Sequence, residues 1–154
     1  RLMEAVAKHE LDLVIGGIAS TTPYAAHIGL SRPYLRSRLT IGAPAGQSPP
    51  QELKGQRVAV EQGHVAIALL EKEGAVPEVT PSMDAAAGLR AGYDWQLEGW
   101  GYAPGETTLK KEEVVMVVAP GENGWLRQLD LFLKAHEAQA RTLLVEAVRQ
   151  GGAR

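Results

Sequence analysis

Two segments of this chain combine a glycine with side chains that could bind a small polar molecule. In the first, the apolar run 11–15 reads as a buried strand that ends at Gly16-Gly17, and the hydroxyls of Ser20 and Thr21 follow. A strand that ends at glycines exposes backbone N–H groups at its carboxyl end, where open α/β sheets bind ligands. The alternatives are a tight turn for the glycines and a solvated turn for the hydroxyls.

The second segment follows another short strand, 57–60, and contains Gly63 and His64. His64 comes after a strand and before a helix, a place where backbone N–H groups favour anions. We therefore expect Gly63 and His64 to contact the ligand. The other three histidines lack the spacing to a carboxylate that a metal site needs, so no metal site and no cofactor are predicted.

Composition excludes several classes of function. The net charge is -2, with 16 basic and 18 acidic residues interspersed, and this gives no basic surface for nucleic acid. No apolar run approaches the roughly 20 residues that span a bilayer, so we expect no membrane insertion of this segment. No serine elbow and no carboxylate pair stands out, which predicts no catalytic residues and no enzyme activity.

The elements that must hold these residues alternate between strands and helices. Residues 57–60 read as a strand and residues 65–72 as a helix, with a glycine-containing turn between them. This order of elements repeats that of the first segment. Such βα units predict an α/β fold with a mostly parallel sheet. The further predictions are helices at 2–9, 84–91, from Asn123 and around 143–148, a helical turn at 51–55, and strands at 35–43, 78–80 and 112–119.

Three stretches resemble the bacterial extracellular solute-binding protein family 3, the amino-acid-binding subunits of ABC importers. LDLVIGG at 11–17 is similar to the family's DLIIAG-like strand, and LSRPY at 30–34 is similar to its FSxPYY segment. ELKGQRVAV at 52–60, followed by Gln62-Gly63, resembles the LKGKKVGVxxG run that opens the family's second lobe.

The resemblance implies a periplasmic-binding-protein-like (venus flytrap) fold, with two lobes of parallel sheets flanked by helices and the ligand held between them. It assigns 1–43 and 118–154 to a partial first lobe with hinge strands, and 44–117 to the second lobe. The first lobe is expected to be incomplete, because nothing here corresponds to the family's opening strand, helix and strand. The chain is therefore expected to be a fragment whose signal peptide lies outside this sequence.

The resemblance also points to ligand contacts and to departures from the family. The family's carboxylate-binding arginine falls on Tyr24, which could be a pocket wall or a core filler. Its assisting hydroxyl falls on Ala19, where Ser20 or Thr21 could shift in. The carboxylate for the ligand's ammonium best matches Asp94, although the strand before that residue is expected to be missing. Since a phenol cannot replace a bidentate guanidinium, we expect no tight binding of an ordinary α-amino acid.

The sequence thus predicts periplasmic or extracellular binding of a small polar solute for delivery to an ABC-transporter permease. An alternative is the ligand-sensing domain of a signalling receptor. A dehydratase is a further alternative, because the cyclohexadienyl dehydratases share this fold.

Overall fold

The computed structural model describes residues 1–84 and 86–151, which form seven strands and five helices. The strands are β1 (Leu13–Ala19), β2 (Gly29–Leu30), β3 (Leu35–Ala43), β4 (Arg57–Glu61), β5 (Val76–Thr80), β6 (Leu89–Tyr93) and β7 (Ala103–Val118). The helices are α1 (Leu2–Ala7), α2 (Ala66–Lys72), α3 (Asp94–Gly99), α4 (Asn123–Ala135) and α5 (Glu137–Gly151). The strands are hydrogen-bonded in the order β1-β7-β3-β6-β4-β5, and β2 also pairs with β7. The predicted α/β class is confirmed.

The first of two compact units contains residues 1–36 and 112–141. Within it, β1 and β2 both pair antiparallel with β7, so that Leu13 and Gly29 are each in register with Val118. Its core lies under α1, where the buried side chains of Val6, Val14 and Val117 pack together. Burial of this apolar surface is the main term that stabilises the unit.

The second unit contains residues 37–111 and 142–154. Here β4 pairs parallel with both β5 and β6, and β3 pairs antiparallel with β6. The core contains buried residues of β3, β4, β6 and α2 and of the segments that precede β4 and β5: Leu39, Ile41, Leu53, Val58, Val60, Ala66, Leu70, Ala75 and Ala91. The sheet predicted to be mostly parallel is instead mixed, because parallel pairing holds around β4 whereas the β3–β6 pair and the described pairs of the first unit are antiparallel.

The predicted strand at 57–60 and helix at 65–72 are present as β4 and α2. Three predictions were wrong in detail. The first strand does not end at the glycine pair, because β1 runs through it to Ala19. Its register with β7 shifts between Val14 and Ile18, and Gly17 has a φ of +64°. An irregularity of this kind needs a residue that tolerates positive φ, which is why glycine interrupts the apolar pattern without ending the strand.

The segment predicted as a helix at 84–91 contains no described helix and instead overlaps β6 from Leu89 onward, with Ala85 outside the described residues. Pairing with β3 on one side and with β4 on the other overrides its local helical pattern. The strand before Asp94 is therefore present, and the prediction that it is missing was wrong. Residues 51–55 form a turn rather than a helical turn, with Gly55 at a φ of +75°.

The buried hydroxyl of Ser31 makes two hydrogen bonds in the first unit. It donates to the Arg32 carbonyl at 2.7 Å and accepts from the Met116 N–H at 2.9 Å. We expect Ser31→Ala to lower the free energy of unfolding by about 1.5 kcal/mol, because the Met116 N–H loses its acceptor. Urea denaturation measures the change. Ser48→Ala, at an exposed serine, is the control and should change stability by less than about 0.5 kcal/mol.

Candidate functional site

The second unit brings three of the predicted ligand contacts to one edge of its sheet. Strands β4 and β6 are parallel, with Val58 in register with Leu89, so their carboxyl ends lie at the same edge. The turn after β4 contains Gly63 and His64, and Asp94 begins α3 directly after β6. This is the edge at which parallel strands commonly present ligand-binding groups.

The turn after β4 is tight. Gly63 has a φ of +77° with open space where a Cβ would lie, and the His64 N–H donates to the Glu61 carbonyl at 3.1 Å. The Nδ1 atom of His64 accepts a hydrogen bond from the Ala66 N–H at 3.1 Å. One of the backbone N–H groups that the sequence predicted for an anion is therefore already bonded to the imidazole. In this hydrogen bond Nδ1 is the acceptor nitrogen.

Aromatic rings surround the start of α3. The rings of His64 and Tyr93 meet edge to face, with centroids 6.0 Å apart and an interplanar angle of 62°. The rings of Tyr93 and Trp95 are parallel to within 5°, with centroids 6.3 Å apart. All three side chains are partly buried, so each ring has solvent-accessible surface. Aromatic faces of this kind attract cations and planar groups.

The Asp94 carboxylate is held in place by backbone hydrogen bonds. Its Oδ1 atom accepts the backbone N–H groups of Arg38 at 3.3 Å and Trp95 at 3.1 Å. The start of α3 is fixed further by the Gln96 side chain, which accepts the Tyr93 N–H at 3.0 Å. A fixed, partly buried carboxylate can bind an ammonium or guanidinium group.

The other four predicted contacts lie in the first unit, along β1 and the turn after it. Gly17 is exposed within β1 rather than in a loop after the strand. The Ser20 N–H donates to the Glu113 carbonyl at 2.8 Å, so its backbone extends the pairing with β7. Thr21 and Tyr24 are exposed in the turn, which excludes the core-filler interpretation of Tyr24.

The ligand contacts predicted from the sequence did not include Tyr93 or Trp95. The signal for both is the position of Asp94, because residues flanking the end of a parallel strand share its edge. The two other aromatic residues of this region have a different role. Trp100 and Tyr102 contact the buried guanidinium of Arg90, whose Cζ lies 5.6 Å and 4.5 Å from their ring centroids.

Two surface cavities lie away from these residues. One, of about 310 Å³, is lined by residues 48–51 and 104–107 in the second unit. The other, of about 340 Å³, is lined by Asp12, Glu122 and Trp125 in the first unit.

Within residues 1–84 and 86–151, no cluster of three or more His, Cys, Asp or Glu side chains is placed to hold a metal ion. Over the same residues, no helix has the length and apolar character to cross a membrane.

No protein-family model and no curated protein matches this chain, whereas many solved structures share its fold. The second substrate-binding domain of a protein described as an amino acid ABC transporter from Streptococcus pneumoniae aligns with a TM-score of 0.70 at 16% identity, over 96% of this chain and 76% of that one. An ancestral cationic amino acid solute-binding protein aligns with a TM-score of 0.71 at 15% identity, over 94% and 72%. The periplasmic domain of BvgS from B. pertussis aligns with a TM-score of 0.66 at 20% identity, over 96% of this chain and 32% of that one.

These likenesses show the fold, which is the periplasmic-binding-protein-like α/β fold that the three sequence stretches implied. At identities of 15–20%, they do not carry a ligand from one protein to another.

Proposed function

We propose that this chain binds a small polar solute with a cationic group and delivers it to an ABC-type importer. The observation that carries the proposal is the Asp94 carboxylate, which is fixed by two backbone N–H groups and whose neighbours in sequence, Tyr93 and Trp95, have stacked rings. The carboxylate would pair with the cation, and the aromatic faces would cover it.

The fold likeness supports solute binding as the class of function. Two of the similar structures are described as the substrate-binding domain of an amino acid transporter and as a cationic amino acid solute-binding protein. A role of this kind places the chain in the periplasm or outside the cell, with a permease as partner. The chain would then act as a non-enzymatic binding protein.

We also propose that the chain does not bind an ordinary α-amino acid tightly. Two arginines of the first unit, Arg32 and Arg36, are both paired with Glu137, which supports this part of the proposal. Tyr24, at the position that the family resemblance gives to the carboxylate-binding arginine, cannot make a bidentate ion pair.

Calorimetric titration of the purified chain against amines, guanidines, polyamines and the common α-amino acids tests the proposal. We expect binding of a cationic solute, and Asp94→Asn should weaken it at least about tenfold, equivalent to about 1.4 kcal/mol. Asparagine retains an oxygen for the N–H groups of Arg38 and Trp95, so the variant should remain folded. The matched control is Asp12→Asn, at an exposed carboxylate of the first unit.

Two results would contradict the proposal. Equal affinity for the wild type and Asp94→Asn would show that the Asp94 carboxylate does not bind the ligand. Micromolar or tighter binding of a common α-amino acid would show that the ligand class is wrong.

A second candidate function is ligand sensing within a signalling receptor, which the likeness to the BvgS periplasmic domain favours. The same titration applies to it, and a signalling domain encoded in the same polypeptide would distinguish it from a transport protein. A dehydratase of this fold is a weaker candidate, and incubation with prephenate or arogenate without product would remove it.

A further inference from the structure

The second unit contains a polar cavity that shares no residue with the candidate site. It has a volume of about 310 Å³ and is lined by two segments, 48–51 before β4 and 104–107 at the start of β7. Ligand-binding cavities have volumes from about 300 Å³ upward, so a small molecule fits this one and a large molecule does not. Both lining segments belong to the same compact unit.

Close packing and a hydrogen bond hold the two lining segments together. Gly105 is buried, and a Cβ at this position would lie 2.8 Å from the Ile41 carbonyl oxygen and 2.9 Å from the Cβ of Pro49. The Thr107 hydroxyl donates to the Gln51 carbonyl at 3.3 Å, which joins the two segments directly. The backbone around the cavity is therefore fixed without a ligand.

Three prolines, Pro49, Pro50 and Pro104, also line the cavity, and all three are partly buried. A proline ring fixes its own φ and presents C–H groups rather than an N–H group. The prolines thus give the cavity a stiff, apolar wall. A ligand that binds against such a wall causes little additional ordering of the protein, which lowers the entropic cost of binding.

The polar side chains of the lining supply hydrogen-bonding groups of several kinds. Ser48 contributes a hydroxyl, Gln51 an amide and Glu106 a carboxylate, and all three residues are exposed. Within residues 1–84 and 86–151 these three side chains have no hydrogen bond and no ion pair, because the bonds to Gln51 and Glu106 go to their backbone carbonyls. The hydroxyl and the amide can donate, and all three groups can accept.

We propose that this cavity binds a neutral polyhydroxylated molecule, such as a monosaccharide. Each hydroxyl of such a ligand both donates and accepts, which matches the amide, hydroxyl and carboxylate of the lining, while its C–H groups can lie against the proline rings. The Glu106 carboxylate repels an anion. None of the eight described lining residues is aromatic, so the cavity lacks the ring faces that favour an organic cation. The proposal is independent of the function proposed for the Asp94 site.

Two-dimensional NMR of the ¹⁵N-labelled chain, titrated with glucose, tests the proposal. Saturable shifts should appear at the amides of residues 48, 51 and 105–107, with a Kd on the order of 1 mM. Glu106→Gln should raise this Kd at least about fivefold, because hydrogen bonds to a charged acceptor are roughly twice as strong as those to a neutral one. The matched control is Glu52→Gln, at an exposed carboxylate outside the cavity, which should leave the Kd unchanged.

Glucuronate, which has a carboxylate as well as hydroxyls, tests the choice of a neutral ligand. The wild type should bind it more weakly than glucose, and Glu106→Gln should narrow the difference, because the variant no longer repels the anion. Three results would overturn the proposal. They are glucose-induced shifts that do not saturate or that occur at 93–95 instead of at the cavity, equal glucose affinity for the wild type and Glu106→Gln, and binding of glucuronate to the wild type as tightly as glucose.

Discussion

Replacing Leu39 with alanine is expected to lower the free energy of unfolding by about 3 kcal/mol. Leu39 is 0% exposed on β3, and it belongs to the core that packs against α2 in the second unit. Truncation removes the transfer free energy of three carbon atoms and leaves a cavity, because strands paired on both sides cannot collapse into the space. Urea denaturation followed by circular dichroism measures the loss.

The matched control is Leu131→Ala, at a leucine of α4 whose side chain is 61% exposed. It removes the same atoms from a surface position, so the change should stay within about 0.5 kcal/mol. Equal losses for the two variants would contradict the assignment of Leu39 to a packed core.

The β4–α2 segment was predictable from sequence because its boundaries are local. Gly55, Gly63 and Gly74 separate its elements, and all three have φ near +75° in the structure. A residue that must adopt this conformation is almost always glycine, so the glycine spacing marks the ends of a strand and a helix directly. No long-range information is needed for such an inference.

Strand β6 was not predictable in the same way. Its sequence, LRAGY, is short and has none of the β-branched residues that indicate a strand. Its conformation depends on pairing with β3 and β4, which lie far away in sequence. Arg90 illustrates the difficulty, because an arginine in a buried strand is unexpected until Trp100 and Tyr102 are seen to contact its guanidinium.

Only part of the candidate site was predictable from the sequence. His64 was singled out from its local segment and Asp94 from the family resemblance, and the structure places both at one edge because β4 and β6 are parallel neighbours. Their common edge is a tertiary property that no local pattern contains. Tyr93 was missed because its contact with His64, at 6.0 Å between ring centroids, exists only once the two strands pair.

Replacing Gly99 with alanine is expected to lower the free energy of unfolding by about 2 kcal/mol. Gly99 is the buried last residue of α3, where it packs against α5. A Cβ at this position would lie 2.5 Å from the Cβ of Val148 and 3.2 Å from the Val145 carbonyl oxygen. Both are fixed to the backbone of α5, so a side-chain rotation cannot relieve the clash and the helix itself must shift.

The comparison with Gly124→Ala makes this prediction specific to packing. Gly124 also lies in a helix, near the start of α4, but it has open space where a Cβ would lie. Alanine there should stabilise the protein by a few tenths of a kcal/mol, since it lowers the conformational entropy of the unfolded chain. Chemical denaturation of the two variants should therefore give changes of opposite sign. Stabilisation by Gly99→Ala would mean that α3 and α5 do not pack as closely as the Gly99–Val148 distance requires.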